Sequence, residues 1–298
     1  MMTGSIFLQH ISNAISLGSL YALIAIGYTM VYGILRLSNF AHGDVVMLGA
    51  YISFYCTTFF LVPWWAGFII ALGLTGLFGI VLERTAYKPL RSSPKISIMI
   101  SAIGASFLME NLAIMIFGGR PKGFTIPEIF DHSVKLGPVS LSTVSLVIPV
   151  LTAFLLAVLL FIVYKTKIGM AMRALSTDLT AARLMAIDVD KIVSFTFGTG
   201  SVLAAIGGVM WATKYPQLNP TMGMVPGLKC FITAVIGGIG NIYGAVLGGI
   251  LLGFIEIMTI AFLPSLTGYR DAFAFIMLII VLMLKPSGLL GEHQIEKV

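Results

Sequence analysis

Apolar runs long enough to cross a membrane recur from one end of this 298-residue chain to the other, with no soluble-looking block between them. A helix rising 1.5 Å per residue needs about 20 residues to traverse ~30 Å of hydrocarbon. Runs near that length fall at roughly 13–35, 45–62, 64–82, 96–117, 141–164, 192–213, 242–263 and 269–284. Lipid offers backbone amides no hydrogen-bond partner, so segments of this length must satisfy themselves as helices. The expected fold is all-α: one polytopic integral membrane bundle over residues 1–298, with about eight transmembrane helices.

Composition agrees, with 58% of residues hydrophobic and only 10% charged, where soluble domains run near a quarter charged. The formal charge of +6 does not point to nucleic acid, because the basic residues sit in short loops between apolar runs, where they orient a protein toward anionic lipid. Cys56 and Cys230 lie inside apolar segments at no metal-like spacing and read as small packing residues. His10, His42, His132 and His293 are scattered, so no metal cluster is expected. The first basic residue, Arg36, follows the first apolar run, so that run lacks the charged start of a cleaved signal and is expected to stay in the mature protein.

Lys and Arg favour the cytoplasmic side. Arg84, Lys88, Arg91 and Lys95 mark one inside loop, and Lys165, Lys167, Arg173, Arg183 and Lys191 another. With Arg36 also inside, the N-terminus, the 118–140 loop and Lys214 fall outside, although Arg120, Lys122 and Lys135 blur the bias. Eight simple crossings would then return the C-terminus to the outside, whereas Lys285 and Lys297 prefer the inside. Either an extra crossing exists or one segment turns back. The run 228–238 is too short to cross alone and ends in Gly237-Gly238-Ile239-Gly240-Asn241, a break that an uninterrupted membrane helix disfavours. We expect a broken, re-entrant half-helix here, with an ordinary tight turn between two short helices as the alternative. Broken helices often mark a transporter's path, and the glycine-interrupted Asn39-Phe40-Ala41-His42-Gly43-Asp44 stretch is a possible counterpart in a weak internal repeat. Small residues recur at Gly73, Gly76 and Gly79, at Gly198, Gly200, Gly207 and Gly208, and at Gly244, Gly248, Gly249 and Gly253, spacings that allow close helix approach.

The inside stretch 165–191 is amphipathic. Met172, Leu175, Leu179, Ala182 and Ala186 step by three or four along one face, with Arg173, Asp178 and Arg183 off it. One helix or two short ones fit, the second capped by Asp178, and the apolar stripe calls for a protein partner or the lipid surface. No glycine is followed by lysine anywhere, so the chain lacks a phosphate-cradling Gly-x-x-x-x-Gly-Lys-Ser/Thr loop. If ATP drives this protein, a separate subunit must supply it.

The Arg173-Ala174 and Asp178–Arg183 block resembles the cytoplasmic coupling loop of ATP-binding-cassette importer permeases. Leu17–Gly33, Asn39–Asp44, Ala234–Asn241 with Gly244-Ala245, and Pro286–Gly291 narrow the likeness to LivH-type permeases of branched-chain amino-acid import, over nearly the whole chain. The resemblance implies a multi-pass permease of the bacterial inner membrane that moves cargo by alternating access. It also implies a homologous second permease of LivM type, two cytoplasmic ATPases carrying ATP and Mg, and a periplasmic substrate-binding protein. No cofactor is expected on this chain itself. It assigns 165–191 as the coupling loop, with Gly169, Arg173, Ala174, Asp178, Ala181, Ala182, Arg183 and Ala186 as coupling residues. Ala186 departs from the family, which usually carries Gly before its Ile, and the 118–140 loop matches poorly.

Several polar residues fall within the membrane. Glu110 and Glu256 lie in apolar runs, where an ionised carboxylate is costly, and no Lys or Arg shares either span. Each must therefore be neutral, paired or wetted, and reads as a protonated, hydrogen-bonded group or as a proton-coupling site. His42 reads as a backbone-capping histidine, and Asn39 and Asp44 as caps at the ends of the first two helices. Together with Gly237, Gly238, Gly240 and Asn241, these residues are the candidates for lining or gating a path. No nucleophile, base and orienting group recur at a recognisable spacing, so no covalent chemistry is assigned. The expected activity is transport, with urea, short amides or other amino acids as alternative cargo and a proton-coupled carrier as the rival class.

Overall fold

The computed structural model describes residues 4–136 and 139–291. Lys297 and His293 lie outside the described residues. Among the described residues eleven α-helices follow one another: α1 (Gly4–Leu35), α2 (His42–Thr58), α3 (Trp64–Leu82), α4 (Lys95–Phe117), α5 (Thr143–Lys165), α6 (Lys167–Thr177), α7 (Leu179–Leu184), α8 (Val189–Lys214), α9 (Met224–Gly237), α10 (Ile242–Phe262) and α11 (Arg270–Leu284). Seven long helical segments among the described residues are apolar enough to cross a membrane, and α2 and α9 are shorter. The strands are two small antiparallel pairs in the connections, β1 (Lys122–Gly123) with β4 (Gln217–Leu218) and β2 (Ser133–Leu136) with β3 (Val139–Ser142). The protein is a polytopic helical membrane bundle.

Burial sorts the helices. In α1 the most apolar window is 94% buried and in the segment ending with α11 only 11%, so α1 is the axis and α11 a peripheral helix. Glycine makes that centre possible. A Cβ on Gly27 would fall 2.8 Å from the Gly200 carbonyl of α8, and one on Gly249 of α10 would fall 2.6 Å from the Ala22 amide nitrogen. Gly49 of α2 likewise meets Ala205 at 2.6 Å. These are backbone-to-backbone approaches that any side chain would wedge apart. Most of the expected glycine stripes sit at such crossings, but Gly73 meets nothing.

The same contacts give helix direction. Gly249 lies by Ala22 and Gly253 by Gly18, so α10 runs antiparallel to α1. Gly200 lies by Gly27 and Lys214 donates to Ser16 Oγ at 2.6 Å, so α8 is antiparallel too and ends near the start of α1. A Cβ on Gly33, near the end of α1, would lie 3.3 Å from the Gly240 carbonyl. The chain between Lys214 and Gly240 therefore passes from one end of the bundle to the other. It does so as an extended stretch through buried Leu218, followed by the 14-residue helix α9. The half-helix stands where the sequence predicts it. It runs on through the bundle to the opposite end instead of turning back.

Candidate translocation site and coupling surface

Two helices start inside the bundle. The linker after α1 keeps Leu37, Asn39 and Ala41 buried, and α2 begins beside Gly27 and Ile24 of α1, well short of that helix's end. Helix α9 begins against it: a Cβ on Gly227 would come 2.8 Å from the Gly43 Cα, and Gly43 and Gly223 each lie against the other's backbone carbonyl. The Asn39–Asp44 break thus packs against the start of α9, while the Gly237–Asn241 break lies at that helix's far end. Asn219-Pro220-Thr221 was the signal for this second break, because proline and short polar residues stop a helix.

A cavity of about 300 Å³ opens where these two starts meet α1 and α4, and its walls include Tyr28, Asn39, Asp44 and Glu110. Asn39 and Asp44 are 4% and 2% exposed. Neither caps a helix, as Ala41 holds the N-cap position of α2 without a side-chain bond. Asn39 Oδ1 instead accepts from Tyr87 Oη at 2.7 Å, and Asp44, in the first turn of α2, accepts from Ser106 Oγ of α4. His42 donates from Nε2 to the Ile24 carbonyl at 3.1 Å, the backbone-satisfying role expected of it, and turns away from the cavity. Asn111 does not reach Glu110; its amide bonds the Phe107 carbonyl one turn earlier.

Gly237–Asn241 sits at the end of the bundle where α1 finishes. Gly238 and Gly240 have φ of +108° and +92°, backbone that glycine adopts freely. Asn241 caps α10 by accepting from the Gly244 amide at 3.1 Å and donates to the Leu290 carbonyl at 2.8 Å. The amides of Leu289 and Leu290 bond the Ile236 and Gly237 carbonyls, so the C-terminal stretch seals this break. It does not line the cavity.

Glu256 is the paired case, its cation coming from another helix. Lys229 of α9, 4% exposed, pairs with Glu256 at 2.7 Å and with Asp271 of α11 at 2.9 Å, and Tyr21 Oη completes the cluster at 3.0 Å from Glu256. A second buried carboxylate, Glu83, was not anticipated. It follows α3 in a short π-helical turn, fully buried, and accepts from Arg91 and from Ser194 Oγ.

The 165–191 stretch folds as two short helices. Thr166 caps α6, and Asp178 caps α7 by accepting from the Thr180 and Ala181 amides at 2.7 and 3.0 Å, as expected. Of the expected stripe, Met172, Leu175 and Ala182 are buried in this protein's own core, so most of that face already has its partner. Gly169 lies hard against the Ile162 and Val163 carbonyls. The outward apolar residues are Ile168, Met170, Leu184 and Met185, the last two 84% and 77% exposed. Arg173, Asp178, Ala181, Arg183 and Ala186 share that outer side and Ala174 is half-buried. Arg36 joins this corner to the end of α1 by donating to the Ser176 carbonyl.

The pattern of the family described as "Branched-chain amino acid transport system / permease component" matches residues 10–282. This chain belongs to that family. The high-affinity branched-chain amino acid transport system permease protein LivH of Salmonella typhimurium is 41% identical over 98% of both chains, and LivH of Escherichia coli K12 is 40% identical over the same share. BraD of Pseudomonas aeruginosa, a permease of the same description, is 39% identical over 98% of each. These relatives are permease components of transport systems, not enzymes.

Proposed function

We propose that this chain is the LivH-type subunit of an ATP-driven importer and passes branched-chain amino acids across the bacterial inner membrane by alternating access. The observation that carries the reading is end-to-end similarity, 41% over 98% of both chains, to a permease named for that transport. The N-terminus lies outside and the C-terminus in the cytoplasm, where the α6–α7 corner receives two ATPase subunits holding ATP and Mg. A homologous LivM-type permease completes the membrane part, and a periplasmic binding protein delivers cargo. ATPase closure pushes on 165–191, and the bundle turns that push into opening at one side. Arg173 and Asp178 lie on the exposed face of that corner, beside the outward Leu184 and Met185.

Reconstitution of the purified subunits in liposomes tests the reading. Labelled leucine should enter only when binding protein, both ATPases and ATP are present, and uptake by this chain alone would identify a secondary carrier instead. Replacing Arg173 and Asp178 together with alanine should cut uptake at least tenfold while ATP hydrolysis continues. Unchanged uptake would remove the coupling role from this corner.

A further inference from the structure

We infer that the cavity between the starts of α2 and α9 is a transit site for the cargo's α-ammonium group, received by the Asp44 carboxylate. The inference rests on the proposed reading as an amino-acid permease.

The cavity's chemistry is one-sided. About 300 Å³ is at the lower end of the range of small-ligand sites. Its walls carry two carboxylates, Asp44 and Glu110, and no Lys or Arg. Among the described residues neither carboxylate has an ion pair, in contrast to Glu83 and Glu256, which each have a cation. A buried carboxylate without a cation is costly. The first turn of α2 offsets part of that cost, since a helix N-terminus favours negative charge. What the site still lacks is a positive group, and a permeating ammonium supplies one.

Two further observations define the ligand. Tyr28, a cavity-wall residue only 2% exposed, has a hydroxyl with Ser38 beside it and no other hydrogen-bond partner. A buried hydroxyl on a cavity wall is a ready partner for a polar guest. The rest of the wall is apolar, with Phe40, Ile103, Phe107, Leu228 and Phe231, and suits a branched aliphatic side chain. The N-terminal end of α9, whose Gly223, Met224 and Gly227 reach the same cavity, turns the positive end of its dipole toward the cargo's carboxylate, its Met224 and Gly227 amides being bonded to the Thr221 and Gly223 carbonyls. A zwitterion with an aliphatic side chain thus meets a complementary group at each of its three parts.

The test uses the full complex with D44N, which keeps an oxygen for Ser106 to donate to while removing the charge. Leucine uptake in proteoliposomes should fall roughly tenfold or more, the scale of a lost charge-assisted bond. A structural role does not discriminate between ligands, so binding to the purified complex is the second readout. The wild type should bind leucine over its des-amino analogue, 4-methylpentanoate, and D44N should lose that preference. Y28F removes a hydroxyl whose one protein neighbour is Ser38, and should weaken leucine binding roughly fivefold with assembly unchanged. Wild-type uptake together with full activity and preference in D44N overturns the site and leaves the permease reading standing. If D44N fails to assemble, undiminished binding by Y28F overturns the site. A wild-type complex that imports no branched-chain amino acid overturns the reading beneath it.

Discussion

At the residue scale, Ala186 holds a backbone conformation that glycine adopts more readily. Its φ is +59°, and it follows α7 at a position where the Ala186 amide bonds the Arg183 carbonyl and the Ile187 amide bonds that of Ala182. That bond pair is the Schellman ending, which favours glycine at the left-handed residue. An alanine there costs on the order of 1 kcal/mol. A186G should therefore stabilise α7 by about 1 kcal/mol and slow amide exchange over residues 179–187 roughly fivefold. Faster exchange, or a lower melting midpoint of the complex, would contradict the strain argument. The alanine was legible in the sequence, but the left-handed conformation that makes it matter was not. Lys229 was hidden for a different reason. A single lysine within Leu228–Gly237 barely alters the run's hydropathy, and its partners Glu256 and Asp271 are 27 and 42 residues away. Sequence periodicity carries no information on pairs that only tertiary packing creates.

At the element scale, boundaries set by strong local signals were readable. Helix α3 occupies 64–82 as expected, because Pro63 opens it and the charged residues beginning at Glu83 end its apolar run. The starts of α2 and α9 were harder, since both depend on backbone that enters the bundle from a loop, and only glycine contact across the interior reveals it. Helix α9 is short, 14 residues following extended chain. Its lysine binds it to α10 and α11 through Glu256 and Asp271. Removing one member of a buried ion pair leaves the other uncompensated, typically at a cost of about 3–5 kcal/mol, whereas replacing both with apolar groups is often neutral. K229M should therefore lower the thermal midpoint of the detergent-purified complex markedly, and K229M/E256L should recover most of the loss. Equal midpoints for K229M and wild type, or no recovery in the double variant, would show that the pair does not hold α9.

At the scale of the whole molecule, α1, α2, α3, α4, α5, α8, the 215–237 segment, α10 and α11 make successive passages. An odd number of passages places the start of α1 and the end of α11 on opposite sides. The contacts agree: Gln9 bonds Ser140 beside the β2–β3 connection, while Leu289 and Leu290 bond Ile236 and Gly237 near the finish of α1. The sequence reached the same parity through Lys285, but composition cannot tell an extended crossing from a turn-back, because both need only a short apolar run with a break. Cysteine labelling separates them. Cys56 and Cys230 are buried, leaving a quiet background, and Ser133, Lys167 and Lys285 are exposed. In intact cells a membrane-impermeant maleimide should label S133C and spare K167C and K285C. Inverted vesicles should give the reverse. The turn-back arrangement would put position 285 with position 133, so joint labelling of S133C and K285C from one side would remove the ninth passage. With it would go the meeting of α9 and α2 inside the bundle, since only a chain that crosses at 215–237 brings Gly223 and Gly227 to Gly43 at that depth.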